Sequence, residues 1–280
     1  MQVIHSIDEM QKISLGLRRE GQKIGFVPTM GFLHQGHLSL VDSLINQVDV
    51  LILSIFINPT QFGRGEDLDK YPRNLDGDIK LSEERGVDFL FVPQREDVFE
   101  GQFSTYTVEQ ELTNRLCGSS RPGHFQGVTT ICTKLFNICQ PNIIALGQKD
   151  FQQVVVLKKV IKDLNFPIEV IVSETMREKD GLAMSSRNSY LSPIHREDAL
   201  LIYKSIQKAV KLVKEGIFKS EKIKDKILTI LKQGELIRVD YIEILDRENL
   251  ESISNIIPNH SVLVLAVRVE KIRLIDNHLL

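Results

Sequence analysis

The sequence predicts an α/β protein with a doubly wound parallel sheet, followed by a smaller C-terminal α+β domain. Up to Tyr190, short continuous apolar runs alternate with amphipathic helical patterns. Such runs are typical of strands buried on both faces, and the alternation favours right-handed crossovers in a parallel sheet. Beyond Tyr190, two helical patterns are followed by two strand patterns without alternation, which is typical of a separate α+β domain.

The elements can be justified in chain order. Ser6 to Glu9 form a capping box, which opens a helix that ends before Gly21. Apolar runs predict strands at residues 24–27, 50–57, 88–93, 143–146 and 168–172. Helical periodicity predicts helices at 37–45 and 75–85, one that ends near Cys139, one that ends at Leu164, and two lysine-rich ones at 194–214 and 220–233. The last strands are predicted at 239–245 and 262–269.

The composition is that of a soluble globular protein. Its 280 residues are 42% hydrophobic and carry a formal net charge of −2, so the charge favours neither a nucleic-acid nor a membrane partner. The three cysteines lack C-x-x-C spacing, which fits a reducing compartment better than a disulfide framework. We find neither a signal-peptide pattern nor an apolar run near the ~20 residues of a membrane span. We therefore expect a cytoplasmic protein.

The stretch from Met30 to His37, Met-Gly-Phe-Leu-His-Gln-Gly-His, lies where the strand at 24–27 turns into the helix at 37–45. At such a point the first N–H groups of the helix form an anion site, and glycine lets the backbone approach a nucleotide. Two imidazoles can donate hydrogen bonds to phosphate oxygens. The combination suggests phosphate chemistry on ATP. A surface turn and a metal site are the alternatives, although no cysteine or carboxylate completes a zinc spacing nearby.

Other polar stretches also stand at the carboxyl ends of predicted strands. They are residues 58–62, 147–150 and 176–188, and a further glycine-rich polar turn covers 121–128. Cys132 and Cys139 lie seven residues apart in a helical apolar pattern, so we interpret them as small hydrophobic side chains. The lysines of the two C-terminal helices are interpreted as solvated faces.

Eight motifs along the chain carry a resemblance to a known family. They are P-T-M-G-F-L-H-Q-G-H (28–37), S-I-F-I-N-P-T-Q-F (54–62), E-D-L-D-K-Y-P-R (66–73), R-P-G-H-F-Q-G-V (121–128), K-L-F-N (134–137), G-Q-K-D-F-Q-Q (147–153), D-G-L-A-M-S-S-R-N (180–188) and R-L-I-D-N (273–277). On these motifs the chain resembles the pantothenate synthetases, or pantoate–β-alanine ligases, over essentially its whole length. That family belongs to the H-x-G-H nucleotidylyltransferases, which carry a second basic loop, and Met184–Arg187 looks like that loop.

The resemblance implies a fold and a reaction. It implies a Rossmann-like domain at 1–176 that binds ATP and pantoate, and a C-terminal α+β domain at 177–280 that carries the second ATP loop. Pantoate would attack the α-phosphorus of ATP to give pantoyl adenylate and pyrophosphate, and the amine of β-alanine would then displace AMP. Mg²⁺ would bridge the β- and γ-phosphates. The expected partners are these small molecules and a second copy of the chain in a homodimer.

The resemblance also assigns residues. His37, His34, Lys149 and Arg187 are the expected catalytic residues, with His37 at the family's proton-donor position. The positions that match ATP contacts are Met30, Gly31, Phe32, Leu33, His34, Gln35, Gly36, His37, Gly147, Gln148, Lys149, Asp150, Met176, Met184, Ser185, Ser186 and Arg187. The positions expected to bind the other substrates are Gln61, Gln153, Asn58 and Arg121. Asp78 is a candidate metal ligand, the alternative being a Mg²⁺ held by the ATP phosphates.

The chain departs from the family's usual pattern at three positions. Cys117 stands where an acidic residue is usual, and Gln148 and Gln35 stand where glutamate is common. None of these changes removes an expected catalytic group. Two rival functions remain at this point: transfer of a nucleotide to a phosphorylated acceptor, and non-catalytic ATP binding by a regulator, since a fold alone does not fix a function.

Overall fold

The structure is a computed structural model that describes residues 1–280. It comprises two compact units, one of residues 1–147 and 156–174, the other of residues 148–155 and 175–280. The division into two domains at 1–176 and 177–280 remains a prediction, because compact units do not show which segments fold independently.

The first unit is built on a six-stranded, wholly parallel sheet. The strand order β1-β4-β3-β2-β5-β6 confirms the predicted doubly wound α/β fold. The strands are Gln2–Ile4 (β1), Ile24–Thr29 (β2), Val50–Ile55 (β3), Phe89–Phe91 (β4), Ile143–Gly147 (β5) and Glu169–Ser173 (β6). The sequence pattern does not predict β1. This strand is only three residues long, too short to show a periodic pattern, and it lies at the edge of the sheet, where it pairs with β4.

The strand order reverses at β2. The chain runs from β2 through β3 to β4 and then returns to the other side of β2, where β5 and β6 lie. Open α/β sheets bind ligands outside the carboxyl ends of their strands at such a reversal. The Met30–His37 stretch follows β2, and Gln148 follows β5. Two of the three stretches predicted to contact ATP, Met30–His37 and the one that begins at Gly147, therefore follow strands on the two sides of the reversal point.

The helices of this unit cover the sheet. They are Ile7–Arg19 (α1), Gln35–Leu44 (α2), Leu75–Glu84 (α3), Arg95–Val98 (α4), Cys117–Ser120 (α5), His124–Cys139 (α6) and the part of Phe151–Asp163 (α7) that begins at Val156. Half of the predicted capping box forms: Ser6 is the N-cap of α1, and its Oγ accepts the Glu9 N–H at 3.3 Å. Val41 and Leu44 of α2 pack with the buried strand residues Val27 and Leu53 in one apolar cluster.

Two cysteines on α6 are part of the core. Cys132 and Cys139 are buried and unbridged, which confirms that they serve as small hydrophobic side chains. Burial raises the pKa of the Cys132 thiol to about 12 and also raises the pKa of the Cys139 thiol. Neither thiol therefore forms a reactive thiolate near neutral pH.

The second unit packs two helices on an antiparallel sheet, as the predicted α+β arrangement requires. Its helices are Pro193–Lys214 (α8) and Ser220–Leu231 (α9), and its strands are Ile237–Asp246 (β7), Ser261–Val269 (β8) and Ile272–Leu279 (β9), in the order β7-β8-β9. Ile202 and Ile206 of α8 meet Leu263 and Leu265 of β8 in its core.

The sequence does not predict β9. This strand contains the last family motif, R-L-I-D-N, and it holds two buried polar residues, Asp276 and Asn277. They interrupt the alternation of apolar and polar side chains by which a half-exposed strand is recognised. Across the whole structure, no helix combines the length and the apolar character that crossing a membrane requires.

Candidate active site

The turn between β2 and α2 has a left-handed backbone. Gly31 has φ +80° and Phe32 has φ +52°. A Cβ on Gly31 would lie 2.8 Å from Ile55 Cγ2, so glycine is required for space as well as for conformation. Phe32, in contrast, is a side-chain-bearing residue in a region that such residues rarely adopt.

A buried carboxylate from α3 holds this turn. Asp78 Oδ2 accepts the Phe32 N–H at 2.8 Å, and Oδ1 accepts the Leu33 N–H at 2.7 Å. The residue is only 3% exposed. Burial raises the pKa of Asp78, while the two backbone hydrogen bonds act in the opposite direction. Both oxygens of this candidate metal ligand are thus used to fix the backbone.

The two histidines cap α2 through their Nδ1 atoms. His34 Nδ1 accepts the Gly36 N–H at 3.1 Å, and the His34 N–H lies 3.4 Å from His37 Nδ1. Because both Nδ1 atoms are acceptors, the hydrogen-bond network assigns the proton of each neutral ring to Nε2. The rings stack with centroids 4.1 Å apart. The N-terminus of α2 therefore carries two adjacent rings, each with an Nε2–H donor.

Gln35, between the two histidines, is exposed and belongs to a surface contact. Its Oε1 accepts a hydrogen bond from Arg85 Nη2 at 3.3 Å, and Arg85 also pairs with Asp42 at 2.7 Å. This contact uses the amide oxygen, an atom that glutamate would also offer. The departure from the family's common glutamate thus preserves an acceptor.

Asn58 organises the 3₁₀ turn Pro59–Gln61 that follows β3. Its Oδ1 accepts from Thr60 Oγ1 at 2.8 Å and from the Thr60 N–H at 3.3 Å. Its Nδ2 donates to Gln61 Oε1 at 3.1 Å and to the Gly127 carbonyl at 3.0 Å. These four bonds use the full capacity of a side-chain amide that is 1% exposed. Asn58 therefore orients Gln61.

The same turn touches the Met30–His37 stretch and α6. Gln61 Nε2 lies 3.1 Å from Met30 Sδ. On the α6 side, a Cβ on Gly127 would lie 2.4 Å from the Thr60 carbonyl oxygen and 2.6 Å from the Gln61 nitrogen. Because those neighbours are backbone atoms, only glycine allows this approach.

Arg121 is held in an ion pair. Its Nε and Nη2 donate to the two carboxylate oxygens of Glu66 at 2.7 and 2.6 Å. Its Nη1 lies 3.0 Å from His124 Nε2, and His124 Nδ1 lies 2.8 Å from the Gln61 carbonyl oxygen. Burial alone would raise the pKa of Glu66, but the hydrogen bond and charge of Arg121 lower it to about 2. The pair adds no net charge beside Gln61.

The second unit contributes a short polar turn, Gln148–Asp150, and the first residues of α7. Lys149 Nζ lies 3.5 Å from Asp150 Oδ1, and the lysine side chain is 23% exposed. Gln153 on α7 is half-buried, whereas its neighbour Gln152 is buried. Lys149 and Gln153 thus belong to one continuous segment of this unit.

The loop at 176–188 is closed by its own backbone. The Met184 N–H donates to the Met176 carbonyl at 2.9 Å, and the Glu178 N–H donates to the Leu182 carbonyl at 2.8 Å. Ser185 caps the following 3₁₀ turn, Ser186–Tyr190, by accepting the Arg187 N–H at 3.3 Å. The loop predicted to carry phosphate ligands is therefore a defined structure.

Each unit gathers part of the predicted site. The first unit links Met30–His37 to Gln61 and Arg121 and ends β5 at Gly147. The second holds Gln148, Lys149, Asp150, Gln153, Met176, Met184, Ser185, Ser186 and Arg187. Sequence reasoning missed Glu66, His124, Asp276 and Asn277. All four lie inside the recognised family motifs, which was the available signal. The motifs do not show which residues they bond to, so their roles could not be predicted.

The side chains do not form a dedicated metal cage. No group of three or more histidine, cysteine, aspartate or glutamate side chains is arranged to hold a metal ion. Magnesium takes oxygen ligands and is often bound by one or two carboxylates plus substrate phosphates. The donor set therefore fits a Mg²⁺ carried by phosphates better than one bound by the protein alone.

Comparison with known proteins places these features in a family. The family described as pantoate–β-alanine ligase matches residues 2–279. The chain belongs to this family. Pantothenate synthetases of Thermosipho africanus and Thermotoga petrophila are 48% and 47% identical to it, over 99% and 100% of both chains.

Solved structures of the pantoate–β-alanine ligase family share the fold. A pantothenate synthetase from Thermus thermophilus is 39% identical, with a TM-score of 0.94 over 99% of both chains. A pantoate–β-alanine ligase from Francisella tularensis, described as complexed with beta-gamma ATP and β-alanine, is 35% identical, with a TM-score of 0.82 over 100% of this chain and 97% of that one. This likeness confirms the family and the fold that the motifs predicted.

Asp78→Asn should destabilise the protein. The change replaces one acceptor oxygen by an NH₂ group that faces a backbone N–H, so one buried donor loses its partner at a cost of about 1–3 kcal/mol. Urea unfolding measures the free energy of unfolding. Asp76→Asn is the matched control, since Asp76 is exposed in the first turn of the same helix. Equal losses in both variants would show that only charge at the helix N-terminus matters.

Glu66→Gln should remove a pH-dependent part of the stability. The pKa of Glu66 is lower in the folded protein than its ordinary value of 4.5, so the pair with Arg121 stabilises fully above pH 4.5. This contribution is lost as the pH falls from 4.5 to about 2. The difference in unfolding free energy between the wild type and the variant should therefore shrink over that interval. A difference that stays constant would contradict the ion-pair assignment.

Proposed function

We propose that the protein condenses pantoate with β-alanine in two steps, with ATP as the activating substrate. Its membership of the pantoate–β-alanine ligase family over residues 2–279 carries this conclusion. In the first step a pantoate carboxylate oxygen bonds to the α-phosphorus of ATP, and the bond to the β-phosphate oxygen breaks to release pyrophosphate. In the second step, the β-alanine amine bonds to the carbonyl carbon of pantoyl adenylate and loses a proton. The bond from that carbon to the phosphate-bound oxygen breaks, and AMP leaves with this oxygen.

In this proposal His34 and His37 donate hydrogen bonds to the leaving pyrophosphate. Because Nδ1 of each ring is used as an acceptor at the start of α2, Nε2–H is the donor that each offers. Donors aimed at charge that develops in the transition state act on the chemical step. His37, at the position that the family resemblance assigns to the proton donor, donates a hydrogen bond from Nε2–H to the departing phosphate oxygen, and His34 supports it. The N–H groups at the start of α2 add partial positive charge.

The fixed positive charges come from the second unit. Lys149 acts as a compact charge and Arg187 as a planar fork for phosphate oxygens. Ser185 and Ser186 supply hydroxyl groups and the 176–188 loop supplies backbone to the nucleotide. None of these roles needs a protein nucleophile, so catalysis consists of positioning and charge stabilisation.

Pantoate is held by neutral amides in this proposal. Gln61 and Gln153 donate to its hydroxyl groups and carboxylate, and Asn58 acts by orienting the Gln61 amide. A carboxylate paired directly with a cation would be a poorer nucleophile. The guanidinium of Arg121 is already paired with Glu66, so its charge beside Gln61 is compensated. The rival acceptor, a phosphorylated molecule, would need several arginine or lysine side chains near Gln61, where the loop instead offers neutral amides beside Arg64.

Magnesium would bind together with ATP. Since Asp78 uses both oxygens on backbone N–H groups, we propose that magnesium is not bound by Asp78 and would arrive with the phosphates of ATP. Bound there, it would neutralise charge on the departing pyrophosphate. The homodimer and the cytoplasmic location are also proposals, and three buried cysteines that form no disulfide with one another are consistent with a reducing compartment.

Exchange of labelled pyrophosphate into ATP tests the two-step reaction. The exchange should require pantoate but not β-alanine, because the first step is complete without the amine. His37→Ala should slow it ~10²–10³-fold with ATP affinity largely retained, since the lost donor acts on the transition state. His5→Ala, at an exposed histidine, is the control. Both rival functions predict no pantoate-dependent exchange, and a wild-type rate in His37→Ala would reject the role of His37.

Gln61→Ala should raise the KM for pantoate tenfold or more with little change in ATP affinity. A lost hydrogen bond to a charged group costs roughly 1.5–3 kcal/mol, and each decade corresponds to about 1.4 kcal/mol. Gln61→Glu should be worse, because it sets a like charge against the substrate carboxylate. Gln47→Ala removes an exposed glutamine of the same unit as a control. Titration calorimetry that finds ATP binding lost and pantoate binding intact would assign Gln61 to the nucleotide.

A further inference from the structure

We propose that Asn277, near the end of β9, is a positioning residue for Lys149. The inference rests on the role proposed above for Lys149, and it adds a residue to which neither the family resemblance nor the comparisons assign a task. It starts from the R-L-I-D-N motif at 273–277, whose residues take no part in the reaction described so far.

Asn277 makes three hydrogen bonds to the turn that carries Lys149. Its Nδ2 donates to the Gln148 carbonyl at 2.9 Å and to the Lys149 carbonyl at 2.9 Å. Its Oδ1 accepts from Gln148 Nε2 at 3.2 Å. The side chain is 2% exposed, so these bonds are shielded from water. Both carbonyls that flank the Cα atom of Lys149 are thereby fixed to β9.

The neighbouring residue fixes the start of the 176–188 loop in the same way. Asp276 is 3% exposed and receives both terminal nitrogens of Arg177, at 2.7 and 3.0 Å. Arg177 also donates to the Gly181 carbonyl at 3.1 Å, and its guanidinium lies 4.5 Å from the ring centroid of Tyr203. A Cβ on Gly181 would come within 2.0 Å of that ring. Two consecutive residues of β9 therefore anchor the two loops that carry Lys149 and Arg187.

The chemistry of the pair is unlike that of a residue selected for core stability. Consecutive strand residues face opposite sides of a sheet, so Asp276 and Asn277 are buried on two different faces. A buried carboxylate or amide is costly unless every bond is made, and apolar residues of similar size often serve stability as well or better. Here the polar atoms bond to loop backbone and to a loop arginine. The benefit lies in where those loops are held.

A double-mutant cycle on Lys149 and Asn277 tests the proposal with pantoate-dependent pyrophosphate exchange as the readout. Asn277→Ala should slow exchange about 10–100-fold at saturating ATP, because a small misplacement of a catalytic group is costly. In a Lys149→Ala background the same change should have little further effect, since the group that it positions is gone. The KM for pantoate should stay within about twofold of the wild-type value, because the proposed pantoate amides are not among its contacts.

Asp240→Ala is the matched stability control. Asp240 lies on β7 of the same sheet and pairs with Arg268 at 3.2 Å and with Arg273 at 2.9 Å, and neither partner belongs to the two loops. It should lower the melting temperature without slowing exchange at 25 °C or below. If Asn277→Ala does not fold, Asn277→Ser retains one donor and should give a smaller loss with the same dependence on Lys149. Amide hydrogen exchange should increase in residues 148–153 more than in β7 or β8.

The outcomes separate the two levels of the argument. An impaired Lys149→Ala combined with equal effects of Asn277→Ala in both backgrounds would overturn the positioning role alone. A loss of exchange in Asp240→Ala as large as that in Asn277→Ala would overturn it as well. If Lys149→Ala itself exchanges at the wild-type rate, the proposed role of Lys149 fails, and the role of Asn277 fails with it.

Discussion

The proposed chemistry depends on a buried carboxylate that takes no part in the reaction. Asp78 accepts the N–H groups of Phe32 and Leu33 and so holds a turn in which Phe32 has a left-handed backbone. That conformation costs of order 1–2 kcal/mol for a residue with a Cβ, and the two charge-assisted hydrogen bonds offset it. The turn delivers His34 to the N-cap of α2, where capping uses Nδ1 and leaves the ring proton on Nε2. The backbone geometry thus decides which atom of each imidazole can donate.

The same device recurs at the other loops. Asn277 is a buried amide that donates to two backbone carbonyls of the turn that carries Lys149, and Asn58 is a buried amide that bonds to Thr60, to Gln61 and to the Gly127 carbonyl of α6. A loop fixed in this way needs no apolar core of its own and can keep its functional side chain accessible to substrate. It also resists small displacements, which matter because a catalytic group misplaced by about 1 Å can lose two orders of magnitude in rate. In all three cases the buried polar group stands on a regular element or directly beside one, and it bonds to a turn that carries a proposed functional residue.

Much of the fold could be predicted because it repeats simple periodic patterns. The central strands β2, β3 and β5 are continuous apolar runs, and the long helices show clear amphipathic spacing. β9 escaped prediction because Asp276 and Asn277 occupy positions where the pattern demands apolar residues. For the site, the H-x-G-H stretch was recognisable because its residues are contiguous. The pairing of Arg121 with Glu66 joins residues 55 positions apart, and no local pattern encodes such a distance.

The ion pair between Arg121 and Glu66 is relevant to how one fold can act on different acceptor substrates. The features that meet ATP in the proposed reaction, the H-x-G-H stretch and the basic loop, are expected in any nucleotidylyltransferase of this kind, so they do not choose the acceptor. The turn Pro59–Gln61 is where the choice can be made. The guanidinium that adjoins it, that of Arg121, is balanced by a carboxylate whose pKa of about 2 keeps it ionised at neutral pH. A phosphorylated acceptor would require that charge to be released from Glu66. A carboxylate nucleophile is better served by leaving the pair intact, because its electron density is then not drawn towards a free cation. In the proposed reaction, the ion pair beside Gln61 therefore favours a carboxylate over a phosphorylated acceptor.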